Sequence, residues 1–269
     1  MSQKMDKDNI GVYLFCLTPA SPLPEITGNG IDGINPLFVE VVGDVAAVLT
    51  EVNLDDFSGS DAKKNMENLE LVAPRAVRHE EVVMAAMEHT PVLPVRFNTV
   101  FSSVAAVTKV LSECQDACNK YFQNTAGKHE YILKGFANLP GIRGRMTSDR
   151  LVAEQEQLAG LTPGKRYFFE QKIKGEVDRD ANSWLKEIGK EIGELLDISS
   201  LEFSKCRLYS REVTGRDDEM FYHIALLVPD SLVAELEEVT ESWNTQQKAR
   251  FLQIELSGPW PPYHFAPDL

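Results

Sequence analysis

Hydrophobic and polar positions along the chain divide it into short apolar runs and longer helical stripes. Gly11–Leu17 (GVYLFCL) is apolar throughout and predicts a strand buried on both faces. Thr18–Pro36 is rich in proline and glycine and reads as a long loop. Phe38–Val42 and Val45–Val52 are strand-like runs joined by Gly43-Asp44, a two-residue link that suits a type II′ hairpin. Asp61–Leu71 reads as a short polar helix. From Pro74 a helical pattern runs through Val77, Val82, Val83, Ala86 and Met87. Val92–Phe97 returns to strand character, and Ser103–Asn124 is amphipathic at 3–4 spacing, with Gly127 as its stop.

The second half has a different rhythm. His129–Ala137 reads as a strand and Asn138–Thr147 (NLPGIRGRMT) as a basic, glycine-rich loop. Thr162-Pro163 is an N-cap with proline at the first helical position. Behind it Phe169, Ile173, Val177, Ala181, Leu185, Ile188, Ile192 and Leu195 keep helical spacing. Strands follow at Leu201–Tyr209 and Met220–Val228, a helix at Leu232–Asn244, and an alternating strand at Phe251–Leu256. The order strand, helix, strand, strand, helix, strand is that of the ferredoxin-like βαββαβ fold. The expected architecture is therefore α+β with two domains. Residues 1–9 form a disordered N-terminus and 10–127 an N-terminal α+β domain. Residues 128–256 form a ferredoxin-like domain with a long helix, and 257–269 an extended Pro/aromatic tail packing on the N-terminal domain.

Charge narrows the partners. The 269 residues carry 41 acidic and 27 basic side chains, a net charge of −14. Residues 1–127 hold 17 acidic and 9 basic groups, so no basic module hides in the average. Such a surface repels polyphosphate and anionic lipid, which argues against nucleic acid and membrane partners. The polar start, Met1–Asn9, lacks the apolar stretch of a signal peptide. Cys16, Cys114, Cys118 and Cys206 are too scattered for a disulfide scaffold, which fits a cytoplasmic protein. Cys114 and Cys118 share a helix face and read as small packed residues.

Candidate chemistry is sparse. Gly28-Asn29-Gly30-Ile31-Asp32-Gly33 matches G-x-G-x-x-G, but no helix follows it, so it reads as a flexible surface loop. Gly160–Arg166 lacks the spacing and hydroxyl of a phosphate loop. His79, His89, His129, His223 and His264 have no ligand spacing, so no metal or cofactor is expected. There is no G-x-S-x-G elbow, and the acidic pairs read as solvated faces. No catalytic residue is assigned.

Two segments stand out. In Pro91–Phe101 (PVLPVRFNTVF) two prolines place the run at a sheet edge or bulge. Arg96, between Val95 and Phe97, is expected to be buried with an ion-pair partner. In Ser257–Phe265 (SGPWPPYHF) prolines interleave with three aromatics, which favours extended polyproline docked on a surface. The candidate interaction or structural motif is Pro94, Arg96, Phe97, Phe101, Pro259, Trp260, Pro261, Pro262 and Tyr263.

These segments carry a resemblance. Tyr13-Leu14-Phe15, Leu93–Phe101, Glu130–Lys134 and Gly258–Phe265 occur in the order of a Y-L-Y-type first strand, L-P-V-R-F-G-T-V-F, E-W/Y-x-x-K and G-P-W-P-P-Y-x-F. The chain resembles the gas vesicle GvpL/GvpF family nearly end to end, with Asn98 in place of the usual glycine. The resemblance implies two α+β domains, the second a modified ferredoxin-like fold. It implies a non-enzymatic assembly or minor structural role in gas vesicles, in the cytoplasm. Partners would be the small hydrophobic shell protein and other accessory proteins, with the oligomeric state open. The alternative is a small-molecule-binding regulatory module built on the ferredoxin-like half.

Overall fold

A computed structural model of the chain describes residues 9–57, 67–196 and 201–267. Residues 1–8 of the expected disordered N-terminus, and 61–66 of the expected polar helix, lie outside the described residues. The chain divides into two compact units, one of Met1–Glu130 with Pro259–Leu269, the other of Tyr131–Gly258. The fold is mixed α and β, with two antiparallel sheets.

The first unit is organised around one strand. β1 (Ile10–Pro19) is almost wholly buried, as its uncharged run requires. β2 (Leu37–Val42) and β3 (Val45–Asn53) form a hairpin, and Gly43 takes a φ of +60° at the turn. α1 spans Leu69–Met87, β4 Leu93–Pro94, β5 Val100–Phe101 and α2 Val104–Thr125. The sheet order is β2-β3-β1-β4, with β5 also paired to β1. The register of β1 on β3 shifts between Leu14 and Cys16. That shift changes the parity of the buried faces. Val12, Leu14 and Leu17 pack with Val107, Leu111 and Cys118 of α2, whereas Tyr13, Phe15 and Cys16 pack with Val82, Val83 and Ala86 of α1.

Two expectations for this unit need correction. α1 does not begin at Pro74. Asn68 caps it by accepting a bond from the Glu70 N–H, and Pro74 lies inside the second turn. The proline is exposed there, so water can serve the freed carbonyl. Residues 28–33 form a fastened turn rather than a flexible loop. The Asp32 carboxylate accepts from the Ile34 and Asn35 N–H groups at 2.9 Å each, and the Thr50 hydroxyl donates to Asn35 and Pro36 carbonyls. Of the two prolines of 91–101, Pro94 does sit at an edge, since β4 ends the strand order, and Pro91 precedes the strand.

The second unit is built on β6 (Lys128–Ala137), whose residues from Tyr131 onward belong to it. α3 (Leu139–Ala153) and α4 (Gln155–Ala159) precede α5 (Pro163–Leu195), a helix of 33 residues. β7 (Glu202–Lys205), α6 (Arg211–Thr214), β8 (Glu219–Pro229), α7 (Val233–Gln247) and β9 (Leu252–Trp260) complete it. The sheet order is β7-β8-β6-β9. Leu133, Leu226 and Ile254 meet Ala181, Ile188 and Ile192 of α5 in its core. β9 runs to Trp260, so Ser257–Trp260 is strand rather than polyproline.

The expected basic loop 138–147 is the first part of α3. Asn138 caps it by accepting from the Gly141 N–H at 2.8 Å, and Leu139 and Ile142 are buried. Two of its three arginines face acids on α5: Arg143 meets Asp178 at 2.9 Å, and Arg150 meets Glu176 and Asp180. Burial of two apolar residues and a cap outweigh two glycines that each cost about 1 kcal/mol in a helix interior.

These glycines differ in surroundings. A Cβ on Gly141 would come within 2.9 Å of the Phe251 ring and 3.0 Å of the capping Asn138 Oδ1, whereas a Cβ on Gly144 meets nothing within 4 Å. Gly144→Ala is expected to stabilise the protein by about 0.5–1 kcal/mol and Gly141→Ala to destabilise it by about 1 kcal/mol. Urea denaturation of the two variants checks this; equal gains would show that Phe251 moves aside freely.

Candidate interaction surface

The segment 93–101 lies along β1. Leu93 and Pro94 pair with Leu17 and Cys16, and Val100 and Phe101 with Tyr13 and Val12. Between these pairs the chain makes a loop. The Val95 N–H donates to the Phe15 carbonyl at 3.3 Å, and the Leu14 N–H to the Thr99 carbonyl at 2.9 Å. Thr99 Oγ1 donates to the Arg96 carbonyl at 2.6 Å. Asn98 takes a φ of +71°, a left-handed conformation that asparagine tolerates.

The Tyr13 hydroxyl fastens this loop to α1. It accepts the Asn98 N–H at 2.9 Å and lies 2.9 Å from His79 Nδ1. The hydroxyl and Nδ1 are both satisfied when the phenol donates to Nδ1; the imidazole proton then sits on Nε2, which is buried and makes no hydrogen bond of ordinary geometry among the described residues. Burial pushes the His79 pKa down to about 4, and burial raises that of Tyr13. Both side chains are therefore neutral at physiological pH. The imidazole stacks on Phe15 at 5.7 Å and meets Phe97 edge-on at 5.9 Å.

The tail is fastened to the same unit. Pro261 and Pro262 are buried, and the Tyr121 hydroxyl donates to the Pro262 carbonyl at 3.1 Å. The Tyr263 hydroxyl donates to Glu80 Oε2 at 3.1 Å. Glu130 is 2% exposed. Its two oxygens accept from the His264 N–H at 2.9 Å and bond His264 Nδ1 at 2.7 Å. Phe265 and Ala266 pack against the core shared by β1, β3 and α2. Burial raises the Glu80 pKa; the Tyr263 bond opposes this and the nearby Glu130 adds to it. The Glu130 bond raises the His264 pKa.

The candidate residues therefore separate into two sets. Pro94, Pro261 and Pro262 are buried, and Phe97, Phe101 and Tyr263 are half-buried. Arg96 is exposed, which corrects its expected burial: the loop raised by Asn98 carries it outward. Pro259 is exposed and Trp260 is 39% exposed. Tyr121, His79 and Glu80 were missed as partners because their roles depend on burial, which no local motif reports. The four segments that carry the resemblance are joined in pairs, Tyr13 to Asn98 and Glu130 to His264. Cys16, beside them, is fully buried and its thiol is pushed up by burial, so it stays protonated.

The model of the family described as gas vesicle synthesis protein GvpL/GvpF matches residues 11–267. Gas vesicle protein L of a Streptomyces species is 23% identical over 244 residues, covering 91% of this chain and 87% of that protein. Gas vesicle protein L1 of Halobacterium salinarum is 24% identical over 271 residues, covering 96% and 91%. The crystal structure of gas vesicle protein GvpF from an Anabaena species shares the fold with a TM-score of 0.71 and 21% identity, over 96% of this chain and 99% of that one. The Microcystis aeruginosa GvpF structure shares it at 0.64 and 20%, with the same coverage.

Tyr13→Phe leaves the ring stacking but deprives the Asn98 N–H and His79 Nδ1 of their partner. A loss of about 2 kcal/mol in denaturant unfolding is expected. The tail pair predicts a pH effect. His264 has a folded pKa above its usual 6.5. Its contribution is therefore complete below that unfolded value and is lost as pH rises through the folded value. The stability gap between the natural protein and His264→Ala should be larger at about pH 6 than at about pH 9. Thermal melts at both pH values measure it, and a constant gap would mean that the charged pair contributes nothing.

Proposed function

Because the chain belongs to the gas vesicle synthesis protein GvpL/GvpF family, we propose that it is a non-enzymatic assembly or minor structural protein of gas vesicles. It binds the hydrophobic shell subunit, and other accessory proteins, while the shell is built. The observation that carries this reading is the family match from residue 11 to 267, with the matching segments joined in two pairs, Tyr13 to Asn98 and Glu130 to His264. An acidic, charged surface suits such work, since it keeps a complex with a sticky apolar subunit dispersed. No helix among the described residues is long and apolar enough to cross a membrane.

In this reading each unit is a domain and the tail is a fastening of the first. The second unit is a ferredoxin-like variant; its sheet order, β7-β8-β6-β9, supports this, because the four strands taken in chain order lie as second, third, first, fourth. The exposed candidates, Arg96, Pro259 and Trp260, contact the partner, whereas the buried ones hold the loop and the tail that present them. The place of work is the cytoplasm, at the growing vesicle.

Deleting the gene from its host should abolish or misshape vesicles, and normal flotation with normal shape would overturn the proposal. Arg96→Ala and Trp260→Ala should each change stability by less than about 1 kcal/mol. Each should reduce recovery of the shell protein in co-purification. Undiminished recovery by both variants would place the contact elsewhere on the chain.

A further inference from the structure

β2 ends the strand order of the first unit's sheet. Its hairpin with β3 turns through Gly43-Asp44, with Val42 opposite Val45. In a two-residue hairpin the residues flanking the turn exchange backbone bonds, and bonded pairs then alternate. Val42, Glu40 and Phe38 therefore bond to β3, while Val41, Val39 and Leu37 direct N–H and C=O to the open side. One contact verifies the phase: the Leu37 N–H donates away from β3, to the Gly28 carbonyl at 3.0 Å. The turn end is also fastened, since Gln115 of α2 donates to the Val42 carbonyl at 2.7 Å and accepts from the Asp44 N–H at 3.1 Å. Between these two anchors Val39 and Val41 have no such outward backbone partner among the described residues. Val41 is 46% exposed.

An apolar edge without proline or lysine is a template for another strand. Its chemistry selects the occupant. Glu40 sits between the two outward residues, half-buried, with no ion pair among the described residues. A second copy of the chain, paired antiparallel so that both Val39 and Val41 are bonded, would set Glu40 against Glu40. That position is a non-hydrogen-bonded pair, where facing side chains come closest and like charges repel. The net charge of −14 adds to the repulsion. We propose that the β2 edge is a strand-addition site for an extended segment of another protein, one with apolar β-branched residues bonded to Val39 and Val41 and a lysine or arginine opposite Glu40. The site does not depend on whether the chain also binds the shell subunit.

The test uses the full-length chain and two fluorescein-labelled peptides, Val-Thr-Val-Lys-Val-Thr-Val and its counterpart with glutamate in place of lysine, read by anisotropy. The lysine peptide should bind tighter by about fivefold, the range of a cross-strand charge pair. Val41→Pro removes an outward N–H and leaves the bonds to β3 in place, so it should weaken lysine-peptide binding by about tenfold with little change in the melt. Glu40→Lys should reverse the peptide preference. Equal binding of the two peptides, or full binding by a folded Val41→Pro variant, overturns the proposal. If Val41→Pro does not fold, Glu40→Lys decides alone, and an unreversed preference overturns it. A natural dimer in light scattering that Glu40→Lys changes would instead assign the edge to a second copy.

Discussion

The first unit depends on how a phenol in the middle of a buried strand is satisfied. Tyr13 sits at full burial on β1, where an unpaired hydroxyl would cost about 1–3 kcal/mol. Its oxygen takes the Asn98 N–H and its proton goes to His79. One group thereby fixes three elements: the central strand, the loop of 93–101 and the helix behind them. The loop must leave the sheet between Pro94 and Val100 to present that N–H, and Asn98 must be left-handed for it to do so. The exposure of Arg96 follows from this geometry rather than from any property of the arginine. The histidine follows too, because a neutral imidazole is the form that can accept from the phenol, and its burial among Phe15, Tyr13 and Phe97 keeps it neutral.

The tail applies the same constraint at a second place. A carboxylate as buried as Glu130 is tolerated when its oxygens are occupied by donors. His264 supplies two, one from the backbone and one from the ring. The prolines before it fix the path by which those donors arrive, and the Tyr121 and Tyr263 hydroxyls hold that path on either side of the pair. Residues far apart in the chain are thus bound by bonds that neither could satisfy alone. Glu80 and His79, neighbours on α1, serve the tail and the loop respectively.

Much of this was legible in the sequence where local chemistry decides the outcome. The buried run of β1, the Gly43-Asp44 hairpin, the helix start at Thr162-Pro163 and the stripe of α5 each follow from periodicity or turn chemistry. The misreadings share a cause, which is that tertiary packing overrode local preference. Residues 138–147 look like a loop by composition, yet Leu139 and Ile142 bury and Asn138 caps. Pro74 looks like a helix start, yet an earlier asparagine with a free side chain caps the helix first. Arg96 was expected inside because its neighbours are apolar, but a left-handed residue two positions later reverses the chain and carries it out. Partners such as Glu80 and Tyr121 carry no local signature at all. Their types are common on exposed helices, and burial by a segment more than a hundred residues away gives them their role.

A consequence follows for where recognition can occur. The segments that carry the family resemblance bond to each other, Tyr13 to Asn98 and Glu130 to His264, so they help to shape the first unit. Among the features that face outward on the first unit are the Arg96 side chain, the Trp260 ring, and the backbone of Val39 and Val41 on the β2 edge. A chain with so strong a negative charge gains most from partners that bring positive charge or apolar surface, because each relieves a cost the free protein carries. An edge strand with a single carboxylate between two unpaired valines meets both conditions at once. It repels its own copy while leaving backbone groups that another strand can bond in place of water, and that combination favours assembly with others over assembly with itself.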